Sequence, residues 1–210
     1  MLWHIVTGEY PPQPGGVSDY TRILAEKLTA AGDEVHIWTP AVSPPRLSSA
    51  HIIIHELPGR FGLAALSRLQ NGLVREKRPF RLLIQYVPQM YGWRGMNLAF
   101  AWRMRSLHRL KPWVMFHEVA VSTDRGQTFK RKILGHAQHM MVRWVASAAA
   151  KRWVSIPGWE AYLGLIAPAF GACEWLPVPS NVATHADPLR VAALRNSLAP
   201  DSTSRIVAHF

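Results

Sequence analysis

The chain has 210 residues, of which 49% are hydrophobic and 18% charged, a composition typical of a globular domain with a sizeable core. Its single cysteine, Cys173, excludes an internal disulfide and a multi-cysteine zinc site, fits a reducing compartment and is interpreted as a small core residue. Nearly all of the net charge of +11 comes from residues 94–152, where twelve Lys and Arg against two Asp and Glu give +10.

Strand-like apolar runs alternate with helix-like segments along the whole chain. The first strand is predicted over residues 2–7, and the first helix begins at Val17, after which Tyr20, Leu24 and Leu28 recur at helical spacing. Further strands are predicted over residues 35–39, 51–57, 81–87, 113–119, 153–156 and 174–178, and further helices over 62–78, 95–110, 128–150, from 160 and near 188–198. This alternation predicts an α/β fold: a Rossmann-like parallel sheet of about seven strands flanked by helices, with right-handed crossovers.

A glycine-rich loop separates the first strand from the first helix. Gly15 and Gly16 carry no Cβ, so a ligand can approach the backbone there. The amides of the first helical turn lack intrahelical partners and lie at the positive end of the helix dipole, which favours a phosphate. A Gly-Gly pair before a helix is also often only a tight turn, and both interpretations stay open. Glu9 and Asp19 flank the loop and are predicted to be local capping groups.

The same loop disfavours an NAD-dependent oxidoreductase. It contains no G-x-G-x-x-G fingerprint, and the second strand ends in Thr39-Pro40, where a ribose-binding acid would be expected. The spacings of His51/His55 and His136/His139 resemble those of metal ligands. Neither pair has a third ligand nearby, so a zinc site is rejected.

The last residues indicate a domain boundary. Residues 201–204 have the composition of a linker, and residues 205–210 begin a strand that nothing completes. We therefore predict that residues 1–200 form one domain. Residues 201–210 are predicted to be the linker and first strand of a second domain that the 210 residues do not contain.

Four blocks of the chain resemble the N-terminal domain of family-four retaining glycosyltransferases, which have the two-domain GT-B fold. The blocks are residues 14–21 (PGGVSDYT) leading into 24–25, 32–39 (GDEVHIWT), 115–119 (MFHEV) and 175–182 (WLPVPSNV). Residues 205–210 resemble the opening strand of the family's second domain. Each block is weak alone, but their order and spacing together cover essentially the whole chain.

The resemblance implies transfer of a sugar from a nucleotide-sugar donor, UDP- or GDP-linked, to a lipid-linked or saccharide acceptor, with retention of anomeric configuration. It implies no cofactor and generally no metal. The N-terminal domain would shape the acceptor side, while the missing C-terminal domain would hold most of the nucleotide, so the chain alone is expected to be inactive. Gly15, Gly16 and Val17 would contact the diphosphate, in agreement with the physical interpretation of the loop.

His117 is the residue that the resemblance places beside the transferred sugar, as the candidate catalytic group. It ends a predicted strand, where parallel sheets form their ligand crevices, although a satisfied, half-buried core histidine is the alternative. Glu118, in the same turn, is predicted either to bind sugar or acceptor hydroxyls or to be solvated. Ser180 and Asn181 are candidate ligand contacts at the same end of the sheet.

The basic middle of the chain leaves its partner open. An anionic membrane surface, a phosphorylated substrate and nucleic acid are candidates, with nucleic acid last because no such motif accompanies the charge; a solvated face is the alternative. Tryptophans within residues 93–113 favour a membrane surface, so the protein is expected to be cytoplasmic and peripheral at the inner face of the membrane. The alternative functions are a non-catalytic binding module, or inactive fragment, and another nucleotide-binding enzyme such as an epimerase.

Overall fold

The computed structural model describes residues 1–46, 48–124, 126–171, 173–180, 187–199, 201 and 203–207. The chain divides into two compact units, Met1–Pro179 and Ser180–Phe210. The second unit contains one described helix, α6 (Pro188–Leu198), at the predicted position. No helix in the described part of the chain is long and apolar enough to cross a membrane.

The first unit is built on a seven-stranded parallel sheet. The strands are β1 (Leu2–Val6), β2 (Glu34–Pro40), β3 (Ile52–Leu57), β4 (Phe80–Tyr86), β5 (Trp113–Phe116), β6 (Lys151–Val154) and β7 (Glu174–Trp175). Their order across the sheet is β3-β2-β1-β4-β5-β6-β7, and every neighbouring pair is parallel. The predicted α/β fold with a parallel sheet of about seven strands is confirmed.

Five helices cover the two faces of this sheet. They are α1 (Gly16–Ala30), α2 (Leu63–Arg75), α3 (Leu98–Ser106), α4 (Phe129–Ala148) and α5 (Pro157–Ile166). Helix α1 packs on one face through Ala25, while α2 to α5 contribute to the larger core on the other face. Alternate residues of β1 point to the two cores: Ile5 belongs to the smaller core on the α1 side, and Val6 belongs to the larger core on the other face. Cys173 is buried beside the larger core, as predicted.

Several predicted elements have different ends in the structure. The predicted helix over 95–110 is wrong in extent, because Gly95 has a φ of +83° and the side chain of Asn97 caps α3 by accepting a hydrogen bond from Phe100 N. Helix α2 ends at Arg75 because Glu76 is extended. Helix α5 begins at Pro157, three residues before the predicted start, because proline suits a first helical turn.

The predicted strand beginning at residue 205, as the opening strand of a second domain, stays a prediction. Residues 204–207 form neither helix nor strand, and residues 208–210 lie outside the described residues. The prediction that residues 201–210 open a second domain stays a prediction.

The strand order places a switch point between β1 and β4. The chain adds β2 and β3 on one side of β1 and adds β4 to β7 on the other. In parallel sheets of this kind, the loops after the strands part at that point and leave a crevice at the carboxyl ends. The loops that follow β1, β4, β5 and β6 therefore define the candidate site.

Candidate functional site

A cleft of about 700 Å³ lies at the carboxyl ends of the central strands, and we call it the strand-end cleft. Its walls come from the loops after β1, β4, β5, β6 and β7 and from the first turn of α1. The lining residues are Glu9, Gly16, Val17, Val87, Met90, His117, Glu118, Ser155, Ile156, Trp175, Pro177 and Val178. These lining residues include two glutamates and no lysine or arginine, although the whole chain carries +11.

The first turn of α1 meets the cleft through Gly16 and Val17. The backbone amides of these two residues make no hydrogen bond within the described residues, as expected for the start of a helix. A Cβ added to Gly16 would have no atom within 4 Å, so packing inside the chain does not require a glycine there. The space beside Gly16 is therefore open to a ligand.

Glu9 binds the third amide at the start of α1, that of Ser18. Its Oε1 accepts a hydrogen bond from Ser18 N at 3.1 Å, so the carboxylate caps α1, as predicted for Glu9. A Cβ on Gly15 would lie 2.3 Å from the same oxygen. Gly15 is therefore needed for the close approach of Glu9, and it is not among the residues that line the cleft.

Arg46 anchors the loop between β1 and α1 through its guanidinium group. Its side chain is 3% exposed, and its guanidinium forms an ion pair with Glu56 at 3.1 Å. The same group donates hydrogen bonds to the carbonyl oxygens of Pro11 and Tyr10 at 2.6 and 2.9 Å, and to Gln13 Oε1 at 2.9 Å. Arg46 thus fixes the loop that carries Gly15 and Gly16.

His117 follows β5 directly and lines the cleft. Its Nε2 lies 2.7 Å from Oε1 of the buried Gln85, an oxygen that only accepts, so Nε2 carries the proton and donates. Burial lowers the pKa of His117 to about 4, which keeps the imidazole neutral at pH 7. Tyr20 of α1 packs edge-on against the ring at 5.1 Å between centroids. The position after the strand is confirmed, whereas the catalytic role stays a prediction.

Two further residues shape the turn after β5. Ser155, the residue after β6, donates a hydrogen bond from Oγ to the carbonyl oxygen of His117 at 2.9 Å, and so ties this turn to the next strand. Glu118 is exposed and lines the strand-end cleft. It also lines a neighbouring cleft of about 790 Å³, which we call the side cleft.

The side cleft is partly aromatic. Trp159 and Tyr162 of α5 line it, together with Glu118, Asp124 and Arg131. The Tyr162 hydroxyl donates to the carbonyl oxygen of Val121 at 3.2 Å, which fixes the orientation of this ring. An aromatic wall with charged groups at its edges suits a ligand that has both apolar faces and hydroxyls.

The structure brings four of the seven predicted site residues to one cleft. Gly16, Val17, His117 and Glu118 all line it. Gly15 does not line the cleft and leaves room for the Glu9 carboxylate. Ser180 is the first residue of the second unit, and Asn181 lies outside the described residues. Their predicted contacts with ligand stay predictions.

Sequence reasoning missed Ser155 and Gln85 as neighbours of His117. The predicted strand over 153–156 includes Ser155, whereas β6 ends at Val154, so Ser155 lies at a strand end, where parallel sheets form their ligand sites. Gln85 interrupts the otherwise apolar run 82–87, and a lone polar residue in such a run indicates a buried polar contact. Among the described residues, no three His, Cys, Asp or Glu side chains form a group that could hold a metal ion.

Comparison with known proteins supports the fold. No protein-family model matches the chain, and no curated protein matches it. Among solved structures, the chain is similar to sucrose-phosphate synthase from Thermosynechococcus elongatus, with a TM-score of 0.50 and 17% sequence identity over 94% of this chain and 99% of that chain. At this identity the likeness shows the fold alone, which is an α/β Rossmann-like fold built on a parallel sheet.

Proposed function

We propose that this chain is the acceptor-side half of a retaining glycosyltransferase that uses a nucleotide-sugar donor. The observation that carries the proposal is the strand-end cleft, where two helix-start amides with no hydrogen-bond partner among the described residues lie in the same space as His117 and Glu118. The resemblance of the sequence blocks and the likeness of the fold to sucrose-phosphate synthase support it.

The proposed chemistry divides between the start of α1, which would bind the diphosphate, and the turn after β5, which would bind the sugar. A nucleoside diphosphate leaves with growing negative charge, and amides at a helix start stabilise that charge. Gly16 and Val17 supply those amides. His117 is neutral and its Nε2 proton is engaged by Gln85, so Nδ1 is left as an acceptor for a sugar hydroxyl. Glu118 supplies a second acceptor in the same turn.

The charges of the cleft indicate what this half lacks. The Ser18 amide is already taken by the carboxylate of Glu9, and the lining residues contain no cation. A diphosphate bound here would lie near two glutamates without a compensating charge. We therefore propose that the cations for the diphosphate, and most of the nucleotide contacts, come from a second domain encoded after residue 210.

We propose that the acceptor enters through the side cleft. This cleft shares Glu118 and Ile156 with the strand-end cleft, so an acceptor there would reach the turn that carries His117. The faces of Trp159 and Tyr162 suit the C–H side of a sugar ring. Replacing Trp159 with Ala is expected to raise KM for the acceptor without changing KM for the donor.

The direct test is nucleoside diphosphate release from a panel of UDP- and GDP-sugars. It compares the 210-residue chain with the same chain extended through its native downstream sequence. We expect turnover only from the extended protein, and within it Gly16→Val is expected to lower kcat/KM about 100-fold, the usual cost of losing oxyanion stabilisation. Gly164→Val is the matched control, because that glycine of α5 also has open space around its Cβ position and lies outside the strand-end cleft.

Two results would contradict the proposal. Unchanged kinetics of Gly16→Val would remove the helix start from the donor site. Silence of the extended protein with every donor and acceptor tried would favour the second candidate, a non-catalytic binding module. The carboxylate of Glu9 at the helix start is the observation that favours this module, since it already satisfies one amide that a phosphate would use.

A further inference from the structure

We propose that the outward face of α4, extended by Trp102 of α3, binds a membrane surface that contains anionic phospholipids. This proposal concerns a surface of the first unit and does not depend on sugar transfer. It rests on three properties of the same surface: an apolar stripe, aromatic side chains beside it and a concentration of unpaired cations.

Helix α4 has two apolar faces. One faces the core and includes Met141, Val142 and Val145. The other consists of Phe129, Ile133 and Met140, which are 78%, 49% and 45% exposed. At about 100° per residue, these three side chains fall within about 40° of one another, on the opposite side of the helix from the buried face. A soluble helix needs only the first stripe, so the second indicates a partner.

Aromatic side chains continue this stripe toward α3. Trp144 of α4 meets Trp102 edge-on, with 5.5 Å between ring centroids, and Trp102 is 57% exposed. The guanidinium of Arg105 lies over the Trp102 ring at 5.6 Å. Exposed tryptophan beside arginine suits the headgroup region of a bilayer, where the ring and the charge both find favourable surroundings.

The charge around the stripe fits an anionic surface. Lys130, Lys132 and Arg105 lie on the same two helices, and none of them forms an ion pair within the described part of the chain. The strand-end cleft contains no lysine or arginine, so the excess of +10 in residues 94–152 is not used on a ligand there. Basic side chains around an apolar stripe are the pattern of interfacial helices on anionic lipids.

A lipid surface fits this pattern better than nucleic acid does. Phosphate backbones are bound by cations and polar groups, and such binding would leave Phe129, Ile133 and Met140 in water. In a bilayer, these side chains would enter the boundary between headgroups and acyl chains while the lysines stay among the phosphates. The single partner that satisfies both properties is an anionic membrane surface.

The test is co-sedimentation of the 210-residue chain with phosphatidylcholine vesicles, with and without phosphatidylglycerol. We expect binding only when phosphatidylglycerol is present. Lys130→Gln with Lys132→Gln is expected to weaken binding about 25-fold, because each cation near the surface contributes about fivefold. The matched control is Lys27→Gln with Lys77→Gln, two exposed lysines on other helices or loops, which should leave binding within about twofold.

A second pair separates burial of the stripe from charge attraction. Phe129→Ser with Ile133→Ser is expected to weaken binding at least about tenfold. The control pair, Leu63→Ser with Val74→Ser on α2, removes side chains that are each 68% exposed and should have no effect. Circular dichroism of every variant shows whether the fold is kept, which we expect because all eight positions are on the surface.

Three outcomes would overturn the proposal. They are equal or negligible binding to both vesicle types, equal loss in the control and patch variants, and binding of duplex DNA through Lys130 and Lys132 in the absence of vesicle binding. The last would assign the surface to nucleic acid. None of these outcomes depends on whether sugar transfer is detected.

Discussion

Acid should destabilise this protein through a cluster of three histidines in β1, β2 and β3, two of them buried and the third partly buried. His4 is 2% exposed, accepts a hydrogen bond at Nδ1 from Trp38 Nε1 at 2.9 Å, and packs edge-on against His36 with 4.7 Å between centroids. The Nε2 of His36 meets Glu34 at 2.8 Å, and its Nδ1 lies 3.0 Å from Nε2 of His55. A proton on His4 would therefore be buried beside two other imidazoles.

The size of the effect follows from the pKa of His4. Burial, and then the nearby His36 and His55, lower this pKa from 6.5 to about 3; Glu76 opposes the shift and Arg78 adds to it. Because the folded pKa lies below the unfolded one, the unfolded chain takes up a proton first as the pH falls. The contribution of His4 to stability is complete above pH 6.5 and is lost as the pH falls toward 3. At pH 5 the loss is about 2 kcal/mol.

The assay is urea unfolding followed by circular dichroism at a series of pH values between 4 and 8. His4→Gln keeps a hydrogen-bond acceptor for Trp38 but does not titrate. Both free energies of unfolding should fall as the pH drops from 6 to 4. The fall should be steeper for the parent chain than for His4→Gln, by about 1.4 kcal/mol per pH unit. The control is His51→Gln, which replaces an exposed histidine outside this cluster.

The reasoning would be refuted by equal slopes for His4→Gln and the parent chain. It would also be refuted by a stability that rises as the pH falls from 6.5, because that sign would require a histidine stabilised by its charge in the folded state. A lower stability of His4→Gln at pH 7 would not affect the test, which compares slopes.

Three further predictions concern the stability of the first unit. Glu9→Ala removes the cap of α1 and should cost about 1 kcal/mol in thermal unfolding, whereas Glu9→Gln should recover most of it. Gly72→Ala should lower the free energy of unfolding by about 1–3 kcal/mol, because the added Cβ would lie 2.2 Å from the Trp38 ring. As its control, Gly164→Ala should raise the free energy of unfolding by about 0.5–1 kcal/mol, because the space around that Cβ position is open. Arg46→Met should cost about 3 kcal/mol and make the loop at residues 10–13 more sensitive to proteolysis, because its carbonyls lose their donor.

The sequence predicted the fold well because local patterns determine it. Apolar runs of strand length and helical spacing are visible without tertiary structure, and their alternation leaves a parallel sheet as the simplest arrangement. The positions of Gly16 at a helix start and of His117 at a strand end were predictable for the same reason, whereas their roles stay predictions. Element ends were less predictable, because caps such as Asn97 and turns such as Gly95 decide them.

Other parts of the site depend on contacts between residues far apart in the chain. Arg46 reaches the carbonyl of Pro11 across 35 positions, and Gln85 reaches His117 across 32. Neither pairing has a sequence signature, because an arginine in a proline-rich loop and a glutamine in a strand are each compatible with many neighbours. Gly15 shows the same limit, since its need for a small side chain comes from Glu9 and not from a ligand.

The separation of charge within the first unit connects the two proposals. A chain with +11 could have used its cations to hold a diphosphate, yet the residues that line the strand-end cleft include Glu9 and Glu118 and no cation. Under the proposed function, two amide groups and one neutral imidazole would not neutralise a nucleoside diphosphate, so we propose that positive charge for the donor comes from outside the residues that line the cleft. The cations of residues 94–152 are then left for a different anion, and those on α3 and α4 surround exposed apolar side chains. The proposed half-site and the proposed lipid surface together account for the absence of Lys and Arg among the residues that line the cleft and for the excess in residues 94–152.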